Sequence, residues 1–405
     1  MVEAIADAIA RLPPGELDPS LGGGQAGMAL FSAWLATARG SYQARDLAER
    51  YLDHAIDAMA TSAMGASLYG GFTGVAWAVN LVDRMLDPSG EDRSAEVDDA
   101  TARLLSPSHA HRWPAAHDLV VGVTGLGVYA LERYPRPAAM GCLRHIVQVL
   151  DETAKHDEHG IYWWSPPAGM LNAEAWGYRP GRADLGVAHG VPGAIALLGA
   201  IFAAGVEPAR SRGLLEGAVD WLFEQAVATE SGPTFPVWVA PGAEPSPARC
   251  AWCYGDPGVA AALLVAARGV GEPEWEREAV ALACRAAERP TAETGVVDAG
   301  FCHGTAGLAH LYNRMYQATG EERLGQAARY WLERTLDFCR DAQRQGGKWV
   351  KGTENPRVGP WTGVDLVDGA AGIALVLLAA VTSLEPIWDR MFLLSAPHVP
   401  HLHRA

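Results

Sequence analysis

Basic residues are in short supply, with 32 Lys and Arg set against 47 Asp and Glu for a formal charge of −15. Sequence-independent binding to DNA or RNA draws on clustered Lys and Arg that displace counterions from phosphates, so nucleic acid is not an expected partner. Long apolar runs are missing as well. The longest, around Gly193 to Val206 and Gly258 to Ala267, fall short of the roughly 20 residues that a bilayer-crossing helix needs. The opening stretch, MVEAIADAIARLPPGELD, carries acids early and lacks the basic region and apolar stretch of a secretory signal. A soluble, cytoplasmic protein is the expectation.

Cysteine is sparse and scattered, at positions 142, 250, 253, 284, 302 and 339. Without an export signal such a pattern argues against a disulfide framework and for reduced thiols or metal ligands. Cys142, Cys284 and Cys339 lie in helical-looking sequence, where a thiol reads as a small buried hydrophobe. Strand-like alternation is also weak everywhere. What the chain does have is apolar bulk: 49% hydrophobic residues against 20% charged ones predicts a substantial core rather than disorder.

The strongest positive signal is an internal repeat. A Gly-x-x-Gly followed at once by an apolar run occurs seven times, with first glycines at Gly24, Gly71, Gly122, Gly190, Gly255, Gly304 and Gly369. Successive copies are 47, 51, 68, 65, 49 and 65 residues apart, a spacing one chance match would not give. The segments after the glycines, such as GAIALLGAIFAAG and GIALVLLAAVTSL, are apolar on nearly every side, as buried inner helices are. Between them lie amphipathic stretches such as SYQARDLAERYLDHAIDAMA, which read as outer helices. The predicted fold is all-α, an α/α toroid of seven outer–inner pairs, about fourteen helices in two concentric rings. A single domain spans 1–405, with repeats over about 20–385 and a tail from 386 to 405. The longest insertion, His156 to Asp184 with Trp163, Trp164 and Trp176, reads as a loop at the end of the ring that carries the glycine turns.

Three turns carry chemistry-bearing residues: Ala188-His189-Gly190, Trp252-Cys253-Tyr254-Gly255 and Phe301-Cys302-His303-Gly304. If the turns gather at one end, Cys253, Cys302 and His303 form a two-sulfur, one-nitrogen set suited to Zn²⁺, with a fourth position open as in catalytic rather than structural sites. A substrate thiol is the natural occupant, because a free thiol with a pKa of about 8.5 is mostly protonated at neutral pH and a zinc-bound one is not. Taken alone, the Cys302-His303 pair reads as a buried thiol beside a capping histidine, and His189 as a core histidine. Their recurrence on matching turns favours function. The tail histidines His398, His401 and His403 read as a solvated terminus. Asp365 and Asp368 either cap the last inner helix or face the cavity.

With these motifs the chain resembles the lanthionine synthetase C-like cyclases, from Ser20-Leu21 to Ile373. The resemblance rests on Arg249-x-x-Trp252-Cys253-Tyr254-Gly255, Cys302-His303-Gly304 and Ala188-His189-Gly190. It implies a zinc-dependent toroid in which Cys253, Cys302 and His303 hold one Zn²⁺, while His189, Asp118, Arg249 and Tyr254 line the active site and Trp252 lines the substrate. Asp118 fits through its place on the third turn, although alone it reads as a helix cap. The implied reaction is intramolecular Michael addition of Cys thiolates to dehydroalanine or dehydrobutyrine, giving thioether rings. In it, His189 protonates the enolate carbon with Asp118 behind it, and Arg249 either stabilises the enolate or orients Asp118.

The resemblance further implies a dehydrated, leader-bearing precursor peptide as substrate, and as partners a separate dehydratase and a peptide exporter, through which the chain associates peripherally with the membrane. The length leaves no room for a dehydratase or kinase domain, and the loops look too short for an inserted leader-binding β-domain. Two other readings stand beside this one. A toroid that alkylates thiols with prenyl diphosphates would need a carboxylate ligand and basic residues not evident here. A non-catalytic, zinc-containing scaffold that binds glutathione or peptide would not need both His189 and Asp118.

Overall fold

The computed structural model describes residues 1–15, 17–87, 99, 103, 117–165, 181–229, 232–344 and 363–397. In chain order the described helices are α1 (Val2–Ala10), α2 (Gln25–Arg39), α3 (Tyr42–Thr61), α4 (Phe72–Leu86), α5 (Val123–Glu132), α6 (Pro137–Thr153), α7 (Val191–Ala203), α8 (Pro208–Glu224), α9 (Asp256–Val270), α10 (Pro273–Glu288), α11 (Thr305–Thr319), α12 (Glu322–Arg344) and α13 (Ala370–Val381). Six short strands join them: β1 (Lys155–Asp157), β2 (Gly160–Tyr162), β3 (Ala183–Asp184), β4 (Val227–Thr229), β5 (Gly232–Thr234) and β6 (Trp238–Val239). Among the described residues no helix is long and apolar enough to cross a membrane.

Each of the seven inner helices, α2, α4, α5, α7, α9, α11 and α13, starts one residue after the first glycine of its turn. The opening N–H groups of a helix have no partner within it and need one outside. Here the preceding loop supplies backbone carbonyls. Gln25 N donates to Asp18 O at 2.8 Å, Phe72 N to Gly65 O at 3.0 Å, Thr305 N to Asp298 O at 3.0 Å and Ala370 N to Gly363 O at 3.1 Å. Such a cap presses the loop against the helix. A Cβ on the second glycine would collide with the carbonyl oxygen six residues earlier, Leu21 under Gly27, Leu68 under Gly74, Val187 under Gly193, Trp252 under Gly258, Phe301 under Gly307 and Leu366 under Gly372. The repeated Gly-x-x-Gly is therefore a close-approach requirement.

Burial follows the two helix classes. In α7 every residue from Val191 to Ile201 is buried, whereas α3 buries the stripe Ala44, Leu47, Ala48, Tyr51, Leu52 and Ala55 and starts from a Ser41 side-chain cap. The chain divides into two compact units. The first comprises Met1–Leu104, Val297–His310 and Arg329–Trp388. In it α2 packs against α3, α4 and α13, and neighbouring turns are laced through their backbones: Cys302 N to Val367 O at 2.8 Å, Leu366 N to Gly22 O at 3.1 Å and Gly22 N to Tyr69 O at 2.8 Å. The second comprises Leu105–Val296, Leu311–Ala328 and Asp389–Ala405. There α7 packs against α5, α8 and α9, and the lacing repeats as Leu119 N to Ala188 O at 3.2 Å and Ala188 N to Cys253 O at 3.4 Å.

Two expectations need amendment. The insertion from His156 opens as an antiparallel β1–β2 hairpin lying on α8, with Trp163 buried and its indole N–H donated to Leu150 O at 2.8 Å. Its far end, as β3, pairs with β6 in the register Asp184 to Trp238, and β4 pairs with β5. Strands of two or three residues are too short to show an alternating pattern in sequence. Trp176 lies outside the described residues. The segment read as a tail begins with a buried 3-10 turn, Ile387–Phe392, in which Trp388, Met391 and Phe392 are covered. Arg390 Nη1 grips both oxygens of Glu132 at 2.9 and 3.0 Å, and Asp389 pairs with Arg314 at 2.8 Å. His398, His401 and His403 lie outside the described residues.

Candidate active site

On the third turn, Asp118 divides its carboxylate between two tasks. Oδ1 accepts the Val121 N–H at 2.7 Å, which is the cap expected of an ordinary turn residue, and Oδ2 lies 2.6 Å from His189 Nδ1 on the fourth turn. Asp118 is 2% exposed and the His189 side chain 21%, so the pair is screened by protein on one side and open on the other. Burial pushes the imidazole toward its neutral form, but the charge and hydrogen bond of Asp118 outweigh it and raise the His189 pKa above 6.5. Burial likewise pushes the Asp118 carboxyl up, and the charge and hydrogen bond of His189 reverse this to hold it below the ordinary value. With Nδ1–H committed to Asp118, Nε2 is the atom through which His189 can exchange a proton with a ligand.

His117, beside Asp118, is different in kind. It is buried against the Trp163 ring, 6.0 Å away, and burial lowers its pKa to about 4, so it stays neutral.

On the fifth turn, Gly255 has φ of +109° and sits hard against the Arg249 carbonyl, a conformation open to glycine and strained for other residues. That tight turn fixes the direction of Cys253 and Tyr254 just before it. Cys253 is 8% exposed. The Tyr254 ring lies 6.2 Å from the His189 ring at 33°, and its hydroxyl donates to Asp184 Oδ1 at 3.3 Å. Asp184 is fully buried and gripped by Arg182, Nη2 to Oδ1 at 3.0 Å and Nε to Oδ2 at 3.4 Å. Neither Arg182 nor Asp184 was singled out from sequence. A signal existed, since Asp184 stands six residues before Gly190 as Asp18 and Asp298 stand before Gly24 and Gly304.

The remaining two residues of the Arg-Trp-Cys-Tyr motif separate. Arg249 is exposed and is not hydrogen-bonded to Asp118, whose two oxygens are occupied as described. Trp252 is 1% exposed, stacks edge-on against Phe392 at 4.9 Å and donates its indole N–H to Phe392 O at 2.8 Å. A substrate-lining position is not what that geometry gives it. It ties the turn to the C-terminal segment.

On the sixth turn, both nitrogens of His303 face carboxylates: Nε2 lies 3.4 Å from Asp298 Oδ2 and Nδ1 lies 3.5 Å from Asp368 Oδ1. Asp365 behaves otherwise, its Oδ1 accepting N–H groups from Val367, Asp368 and Gly369 at 3.0, 2.7 and 3.1 Å. Asp365 thus caps the last turn and Asp368 faces the histidine. Cys302 and His303 of the first unit and Cys253 of the second are the described residues that could together hold a metal ion. Two thiols and an imidazole are a donor set that suits a borderline-soft metal such as Zn²⁺, and with one imidazole nitrogen given to the metal, one of the two carboxylates could stay on the other, as is usual around metal-bound histidine. The other thiols are poor donors. Burial pushes Cys142 up to about 12, Cys250 and Cys339 up to about 11, and raises Cys284 as well.

Inner helices that start beneath glycine turns, three of which carry the cysteine and histidine residues described above, define a helical repeat protein. The family model described as lanthionine synthetase C-like protein matches residues 15–393, and the chain belongs to that family. Among solved structures it is similar to one titled nisin cyclase, with a TM-score of 0.77 at 20% identity over 97% of this chain and 96% of that one. The fold is accordingly an α/α toroid. A sugar epimerase from a ruminal bacterium aligns with a TM-score of 0.47 at 10% identity, over 94% of this chain and 97% of that one, too weak to bear on the site.

Proposed function

We propose that this chain is a zinc-dependent cyclase that adds Cys thiols of a dehydrated, leader-bearing peptide across dehydroalanine or dehydrobutyrine to close thioether rings. The observation that carries the reading is the donor set of Cys253, Cys302 and His303, two thiols and an imidazole on matching glycine turns. Family membership and the likeness to a nisin cyclase support it. Bound by those residues, Zn²⁺ would supply ionisation of the substrate thiol near neutral pH, where a free thiol with a pKa of about 8.5 is mostly protonated.

The chain's own residues handle the second half of the addition. When the thiol sulfur bonds to the β-carbon, the electron pair of the C=C bond moves onto the neighbouring carbonyl as an enolate, and the α-carbon must take up a proton. His189 delivers it from Nε2, its imidazolium stabilised through Nδ1 by Asp118 at 2.6 Å. Arg249, exposed and unattached to Asp118, is the fixed cation for the enolate oxygen. Tyr254 forms a wall beside His189. The dehydro residues come from a separate dehydratase, and ring closure takes place in the cytoplasm.

The test is incubation of the purified protein and zinc with the dehydrated peptide, followed by thiol alkylation and mass spectrometry. Ring closure removes alkylatable thiols without changing the peptide mass. Thiols that all remain alkylatable on the peptide of the chain's own pathway would contradict the reading.

A further inference from the structure

Asp184 is a buried carboxylate that the proposed mechanism does not use. It is fully covered, as is most of Arg182, at 5% exposed. A buried ion pair of this kind is often no more stable than a hydrophobic replacement, so its presence calls for a reason beyond stability. Its surroundings are rigid. Asp184 lies in β3, paired with Trp238 of β6; its N–H donates to Ser165 Oγ at 3.2 Å, and the Arg182 guanidinium lies 5.4 Å above the Trp238 ring. From that frame, Oδ1 takes both the guanidinium at 3.0 Å and the Tyr254 hydroxyl at 3.3 Å. Gly186, two residues on, lets the Tyr254 ring approach so closely that any Cβ there would meet it. The phenol is thus held at its oxygen and at its ring, beside His189.

We infer that Asp184, clamped by Arg182, is the positioning residue for Tyr254. By accepting the phenolic hydrogen it leaves Tyr254 to offer the peptide substrate a lone-pair acceptor and a ring wall, not a proton. A phenol whose O–H is donated to a buried carboxylate does not compete as the acid at the α-carbon, so that role falls to His189 alone. The inference rests on the cyclase reading for its chemistry and on unit-internal geometry for its structure.

Two measurements test it. The first is a double-mutant cycle on ring closure. Asp184→Ala in the parent lowers kcat about tenfold, and in a Tyr254→Phe background changes it less than about twofold, because both substitutions break the same contact. Effects that multiply instead would overturn the inference, since a carboxylate serving only the β3–β6 frame acts independently of the phenol. If Asp184→Ala fails to fold with the Arg182 charge buried without its carboxylate, the paired variant Arg182→Leu/Asp184→Leu removes both charges and the acceptor and is judged by the same criterion. The second measurement needs no activity: 3-fluorotyrosine is placed at position 254 and its fluorine resonance recorded. The resonance moves toward that of free fluorotyrosine in the Asp184 variant; an unmoved resonance would sink the inference even in an active enzyme. Should the parent close no rings, the cyclase reading fails, and the fluorine spectrum still decides the role of Asp184.

Discussion

At the His189–Asp118 pair a single hydrogen bond of 2.6 Å sets both the protonation state and the orientation of the candidate acid. Its pH consequence has a definite sign. His189 has a raised pKa, so its acid form is full below the ordinary 6.5 and is lost as pH rises through the higher folded value. Ring closure limited by protonation should therefore fall on the alkaline side, above 6.5. Asp118→Asn should move that limb to lower pH, and a pH–rate profile of the two proteins checks it. His189→Asn should cut turnover by about 10²–10⁴ while zinc content by metal analysis stays at the parent level. Cys302→Ala should lose the zinc. Cys253, Cys302, His189 and His303 were legible because glycine punctuation placed them at equivalent points of separate repeats. Arg182, Asp184 and the outward placement of Arg249 were not, because a short buried ion pair and a side-chain direction leave no periodic trace. Trp252 misled for a related reason: its motif neighbours face the site, while the tight turn sends its indole to Phe392.

The elements are held at their ends by backbone. Inner helices begin beneath loop carbonyls, which explains a glycine where an ordinary N-cap would place Ser or Asp. Gly307→Ala sets a methyl group against Phe301 O, and should cost about 1–3 kcal/mol as overpacking does. A shifted urea midpoint with unchanged helical content would show it. The C-terminal segment is fastened differently, through Arg390 to Glu132, whose side chain is 2% exposed. Arg390→Met removes both hydrogen bonds to that carboxylate and should cost about 1–3 kcal/mol, read from the same denaturant curves. Helix starts were readable from the repeat because each required the same residue at the same step. The three strand pairs were not, since their strands have only two or three residues each, too few for an alternating pattern to show.

For the molecule as a whole, the seven-fold recurrence fixed the helix order, and the likeness to a solved toroid agrees with it. The reaction is a separate matter, because similar helical repeats carry unrelated chemistries and function lies in the side chains set on the turns. The central claim is that a thiol of the peptide adds across a dehydro residue and that the chain protonates the resulting α-carbon. Running the reaction in D₂O tests this directly. The account predicts that every thiol lost to alkylation is matched by one carbon-bound deuterium in the peptide, found by tandem mass spectrometry after back-exchange into H₂O. Thiols that stay alkylatable, or disappear without deuterium at the α-carbon, would contradict it.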